Sequence, residues 1–80
     1  GGARTVLAKV LHHLQVVEGA HTVVLDDIPA EVFERQRSRA WVKAELDRLA
    51  LDGELVKIAP GVWMFRDAAD AAAAAERGVA

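Results

Sequence analysis

The chain has 80 residues, 52% of them apolar, and a formal charge of −2. A domain of this size buries only roughly 60–65% of the surface its unfolded chain would expose, so the sequence supports one core and not two. Cysteine is absent, which excludes disulfides, thiolate metal sites and thiol nucleophiles together and leaves stability to packing. No apolar run approaches the ~20 residues needed to cross a bilayer. No basic-then-apolar leader opens the chain either, so the expectation is a cytoplasmic protein with no membrane partner.

Val6, Leu7, Val10, Leu11, Leu14 and Val17 recur at helical spacing, with Arg4, Lys9 and His13 off the stripe. This predicts an amphipathic first helix from about Arg4 to Glu18, stopped by Gly19 as a left-handed cap. Thr22-Val23-Val24-Leu25 is short and β-branched, and reads as a brief strand before Asp26-Asp27. Asp27 has the character of an N-cap, with Pro29 in the first helical turn and Glu31 near the positive end of the dipole. A second helix is therefore expected from about Pro29 to Arg35, with Val32 and Phe33 on its buried side. Ser38 is the next start signal. The third helix continues through Trp41, Val42, Leu46 and Leu49 and stops at Asp52-Gly53.

Two extended segments follow, Glu54 to Ile58 and Val62 to Arg66, joined around Ala59-Pro60-Gly61. Pro presets φ and Gly takes positive φ, so this is a hairpin turn. A plain type II turn twists a tight hairpin the wrong way, which calls for a longer or bulged loop. Residues 67–80 are dominated by alanine and read as a C-terminal helix starting at Asp67, or as a linker. The order is helix, strand, helix, helix, strand, strand.

The stretch Ser38-Arg39-Ala40-Trp41-Val42-Lys43-Ala44-Glu45-Leu46-Asp47-Arg48-Leu49, running on to Gly53-Glu54-Leu55, resembles the recognition helix of GntR-type regulators. Those commonly read Ser-Arg-x-Thr-Val-Arg-x-Ala-Leu-x-x-Leu-x-x-x-Gly-x-Leu. The continuation from Leu55 through Lys57 and Pro60-Gly61 to Trp63-Met64-Phe65 looks like the wing of abortive-infection antitoxin regulators. The resemblance covers roughly Asp26 to Arg66. It implies an α+β winged helix-turn-helix fold over residues 1–66, with a three-helix core, a short strand and a C-terminal β-hairpin wing. Two departures stand out: Trp41 replaces a threonine that faces DNA in the family, and Glu45 replaces an alanine packed beneath the helix.

Charge is unevenly spread. From Arg35 to Arg66 seven basic residues stand against four acidic ones, a surplus of three, while the remainder carries three bases and eight acids. Charges beyond about 8–10 Å are screened at physiological salt, so a polyanion responds to this basic middle and not to the average. With Val42, Leu46 and Leu49 facing inward, Lys43, Arg48 and Trp41 lie to the sides of the third helix. Ala40, Ala44, Asp47 and Leu51 point most directly away. Ala44 offers only a methyl contact to thymine.

The expected DNA contacts are Arg37, Ser38 and Arg39 at the helix start, Trp41, Lys43 and Arg48 along it, and Lys57 and Arg66 on backbone phosphates beside the wing. The alternative for the arginines is a solvated first turn in which they pair with Glu34 or Asp47. For Trp41 the alternatives are an anchor on DNA or a partner protein, or, slightly preferred, a ring folded back over the second helix beside Phe33. Trp63 and Phe65 alternate on one strand face and are expected in the core.

His12 and His13 are adjacent on a helix and point about 100° apart, and with His21 they make no metal site. Asp27 is accounted for as a cap, no Ser–His–acid arrangement exists, and no glycine-rich loop is present. No cofactor, metal or enzymatic activity is expected. The leading expectation is sequence-dependent binding of double-stranded DNA in transcription regulation or DNA maintenance, as a homodimer or part of a larger parent protein, nucleoid-associated in the cytoplasm. The rival is a winged helix that binds protein within a larger assembly.

Overall fold

The computed structural model describes residues 2–28 and 37–79. The apolar stripe of the N-terminal segment winds helix α1, Ala3–His12, with Leu7 and Leu11 buried. Its last turn widens into a π-turn, His13–Val17, in which the Glu18 amide donates to His13 O at 3.1 Å. The chain reverses at Gly19, φ +66°, and the Ala20 amide reaches back to Leu14 O at 2.8 Å. That wrap-around bond is typical of a glycine-terminated helix. A π-turn takes more residues per revolution than an α-turn, so Val17 lags behind the stripe. Expected inside, it is 68% exposed beside Val16 at 63%.

Strand β1 is Thr22–Val24. Leu25, expected to extend it, instead opens a 3-10 turn, Leu25–Asp27. It remains buried, and its amide donates to Gly61 O at 2.9 Å. Asp27 belongs to this turn, and the helix expected from Pro29 to Arg35 with Val32 and Phe33 lies outside the described residues. Helix α2, Arg39–Leu51, is the expected third helix. Ser38 Oγ accepts from the Trp41 amide at 3.0 Å, and after the C-cap Asp52 the chain turns at Gly53, φ +84°.

Strands β2, Leu55–Ala59, and β3, Val62–Phe65, form the hairpin. Leu55 opposes Phe65 and Lys57 opposes Trp63, but Ala59 opposes Val62, so the register slips between Lys57 and Ala59. This irregularity before Pro60-Gly61 is the bulge that the turn chemistry required. The sheet order is β1-β3-β2, antiparallel throughout, with Val23 opposite Trp63. Arg66, expected to finish the strand, instead begins helix α3, Arg66–Val79.

One core forms where α1 and α2 cover the sheet: Leu7, Leu11, Val23, Leu25, Val42, Leu46, Leu55, Trp63 and Phe65 are all buried. Trp63 has no accessible surface and sits on the central strand. Among the described residues of α3, only Ala68 packs against this cluster, and residues 74–78 are exposed. The described residues thus form a small α+β domain with three α-helices and a three-stranded antiparallel sheet. This layout is compatible with a winged helix.

Candidate nucleic-acid interface

Helix α2 is stationed by two forces. Val42 and Leu46 anchor it to the core, and Ser38 satisfies an amide that would otherwise be orphaned in its first turn. The opposite face is then fixed: Ala40, Ala44 and Leu51 are exposed, Leu51 at 89%.

At the N-terminal end, the Arg37 guanidinium lies 5.2 Å from the centroid of the half-buried Trp41 ring. Trp41 also packs against the core. Arg39 Nε donates to Asp26 Oδ1 at 2.8 Å, both side chains being well exposed at 65% and 72%. Asp26 comes from the 3-10 turn after β1, and is neither of the anticipated partners Glu34 and Asp47.

On one flank of α2, Lys43 Nζ donates to Asp47 Oδ2 at 2.8 Å. Lys57 Nζ, on β2, approaches Asp47 Oδ1 at 3.6 Å. Lys57 shares a sheet face with Trp63 across the ladder, and its ammonium stands 5.5 Å from the Trp63 ring centroid. The Trp63 indole N–H is buried and, among the described residues, lacks a hydrogen bond of good geometry, yet it lies close enough to the Asp47 carboxylate to add slightly to its stabilisation. The Asp47 pKa falls below the usual carboxylate value, chiefly through the Lys43 hydrogen bond. Burial opposes the shift, while the Lys43 and Lys57 charges reinforce it.

On the other flank, Glu45 is buried at 6% exposure. Arg4 of α1 donates to it at 3.1 Å and Arg48 at 3.2 Å, and Arg48 also donates to Asp52 at 3.1 Å. Glu45 thus forms a buried, ion-paired contact between α1 and α2. Arg66 donates to Gly53 O at 2.8 Å and approaches Asp70 at 3.9 Å.

The structure therefore brings Lys43 and Lys57 together at the junction of α2 and the hairpin, with Arg37 and Arg39 flanking the start of α2. It does not bring in Arg48, which is tied to the α1 side, or Arg66, which binds at the far end of α2 from Ser38. That end is about 20 Å away at 1.5 Å rise per residue. Sequence reasoning missed Asp26 and Arg4 as partners, since contacts between elements carry no local signal. The Lys43–Asp47 pair had one, its i,i+4 spacing.

Among the described residues no group of His, Asp or Glu is arranged to hold a metal, and no helix is long and apolar enough to cross a membrane. No family model, curated protein or solved structure matches this chain.

Proposed function

We propose that this is a winged helix-turn-helix domain that binds double-stranded DNA, with α2 entering the major groove and the β2–β3 hairpin alongside as the wing. The observation that carries this reading is the meeting of Lys43 from α2 and Lys57 from β2 at one junction, next to a helix start carrying Arg37 and Arg39. A helix that enters a groove with cations beside it for the backbone phosphates is the arrangement such domains use, and the converging lysines fit that arrangement. The ion pairs that engage Arg39, Lys43 and Lys57 weigh against it only lightly. All three are solvent-accessible, and exposed pairs are worth about 0–1 kcal/mol each, so phosphates displace the carboxylates at small cost.

Arg37, Arg39 and Lys43 are the main contacts in this proposal and Lys57 is a phosphate contact. Arg48 and Arg66 are peripheral. A single module of this kind buries little surface, so a second copy or a parent protein supplies the remaining affinity. The biological setting is transcription control or DNA maintenance in the cytoplasm, with no catalysis.

The test is binding of the chain to random-sequence duplex across a salt series. Affinity falls steeply as salt rises, and Arg39→Ala with Lys43→Ala flattens the slope by about 0.9 per lost phosphate contact. No duplex binding at the lowest salt overturns the proposal. A second reading, a protein-binding winged helix, is favoured by one observation: the outermost face of α2 is Ala40, Ala44 and a nearly fully exposed Leu51, with no Arg, Asn or Gln to read a base edge.

A further inference from the structure

We infer that Asp47 is a built-in competitor for DNA phosphate: its carboxylate occupies the cation pair formed by Lys43 and Lys57, and a backbone phosphate must displace it to dock at the junction of α2 and the wing. This rests on the DNA-binding reading and adds a residue that sets its strength.

The geometry is that of an occupied anion site. Oδ2 of Asp47 takes Lys43 at 2.8 Å and Oδ1 faces Lys57 at 3.6 Å, so each oxygen serves one ammonium. Phosphodiester oxygens offer the same two-sided arrangement with the same charge. The lysines are preset by different elements: Lys43 stands one helical turn from Asp47, and Lys57 is held over the Trp63 ring by the cross-strand register. Both lysines face the same carboxylate, so a phosphate that takes both must displace Asp47 from each.

Accessibility makes the exchange feasible. The side chains of Lys43, Asp47 and Lys57 retain 44%, 35% and 41% of their exposure, so the cluster is a rim feature that water and ions reach, not a buried bridge. A buried pair would resist opening because an uncompensated charge would remain. Here the freed carboxylate resolvates beside the incoming strand. Its negative charge then repels that strand, which raises the threshold for weak, non-specific contacts and leaves a net preference for duplex seated by the rest of the interface.

The experiment measures binding of the chain to a random-sequence 20-base-pair duplex, from low to physiological salt, for the wild type, Asp47→Asn, Lys43→Ala/Lys57→Ala, and the triple variant. Glu76→Gln on α3 controls for the loss of one negative charge elsewhere, and circular dichroism confirms folding of each protein. Asp47→Asn is expected to bind several-fold more tightly, with a salt slope about 1 to 2 units steeper as two cations become free for phosphates. The two lysine substitutions are expected to cost more slope when combined with Asp47→Asn than in the wild type, a coupling that holds even if the variants differ in stability. Wild-type binding with Asp47→Asn unchanged, or enhanced no more than Glu76→Gln, overturns this inference alone. No binding by the wild type or any variant overturns the DNA reading beneath it.

Discussion

Ser38 illustrates how one side chain sets an element. Its hydroxyl closes the first turn of α2 on the Trp41 amide, and Ser38→Ala is expected to cost about 1 kcal/mol, measured by urea unfolding, with Ser38→Asp restoring it. Glu45 makes the opposite point. It is buried between Arg4 and Arg48, and its carboxylate is expensive to desolvate, so Glu45→Ala should be near neutral. Arg4→Ala with Arg48→Ala leaves the carboxylate buried and unpaired and should cost about 3 kcal/mol. Equal losses for the two variants would show that Glu45 is a net stabiliser. Asp47 adds a pH dependence. Its pKa is lowered in the fold, so its pairing contributes stability above the unfolded-state pKa and loses it as pH falls through the folded one. The wild type should therefore exceed Asp47→Asn in stability slightly at pH 7, and the gap should close in strong acid.

At the scale of elements, what was legible in the sequence was whatever is written locally. Ser38 and Gly53 bracket α2, Gly19 ends the first helix, and Pro60-Gly61 turns the hairpin, because caps and positive-φ glycines act within a few residues of themselves. The π-turn at His13–Val17 was not legible, because nothing in an uninterrupted helical stripe announces a widened turn. The candidate site divides the same way. The cations and their order could be read, but Asp26, which pairs with Arg39, and Arg4, which pairs with Glu45, come from distant elements. A Cβ added at Gly61, φ +72°, would meet, among the described residues, only Leu25 Cβ, at 3.9 Å. Gly61→Ala should therefore lose about 1 kcal/mol from backbone strain and not from a clash, readable in a thermal melt. Because α3 contributes only Ala68 to the core among its described residues, its amides beyond Ala73 should exchange with solvent far faster than those of β3.

For the whole molecule, nine buried apolar side chains make up the core among the described residues, and Trp63 is its largest member. Trp63→Ala is expected to remove about 3–5 kcal/mol, most of what a small domain possesses, and to leave the chain unfolded at 37 °C by near-UV circular dichroism. Trp63→Phe keeps an aromatic ring and discards the buried indole N–H, so it should remain folded. The charge that a sequence average conceals is also a whole-molecule property: the basic residues of α2 and the hairpin are largely neutralised in place by Asp26, Asp47, Glu45 and Asp52. The outward potential is therefore weaker than the residue count suggests, and association with a polyanion should be slower and less salt-sensitive than for an unpaired basic face. Finally, α3 starts at the residue after β3 ends, with no intervening loop. With no loop to take up a change of direction, the first turn of α3 follows the course of β3, the central strand of the sheet, so the two elements must move together at their junction.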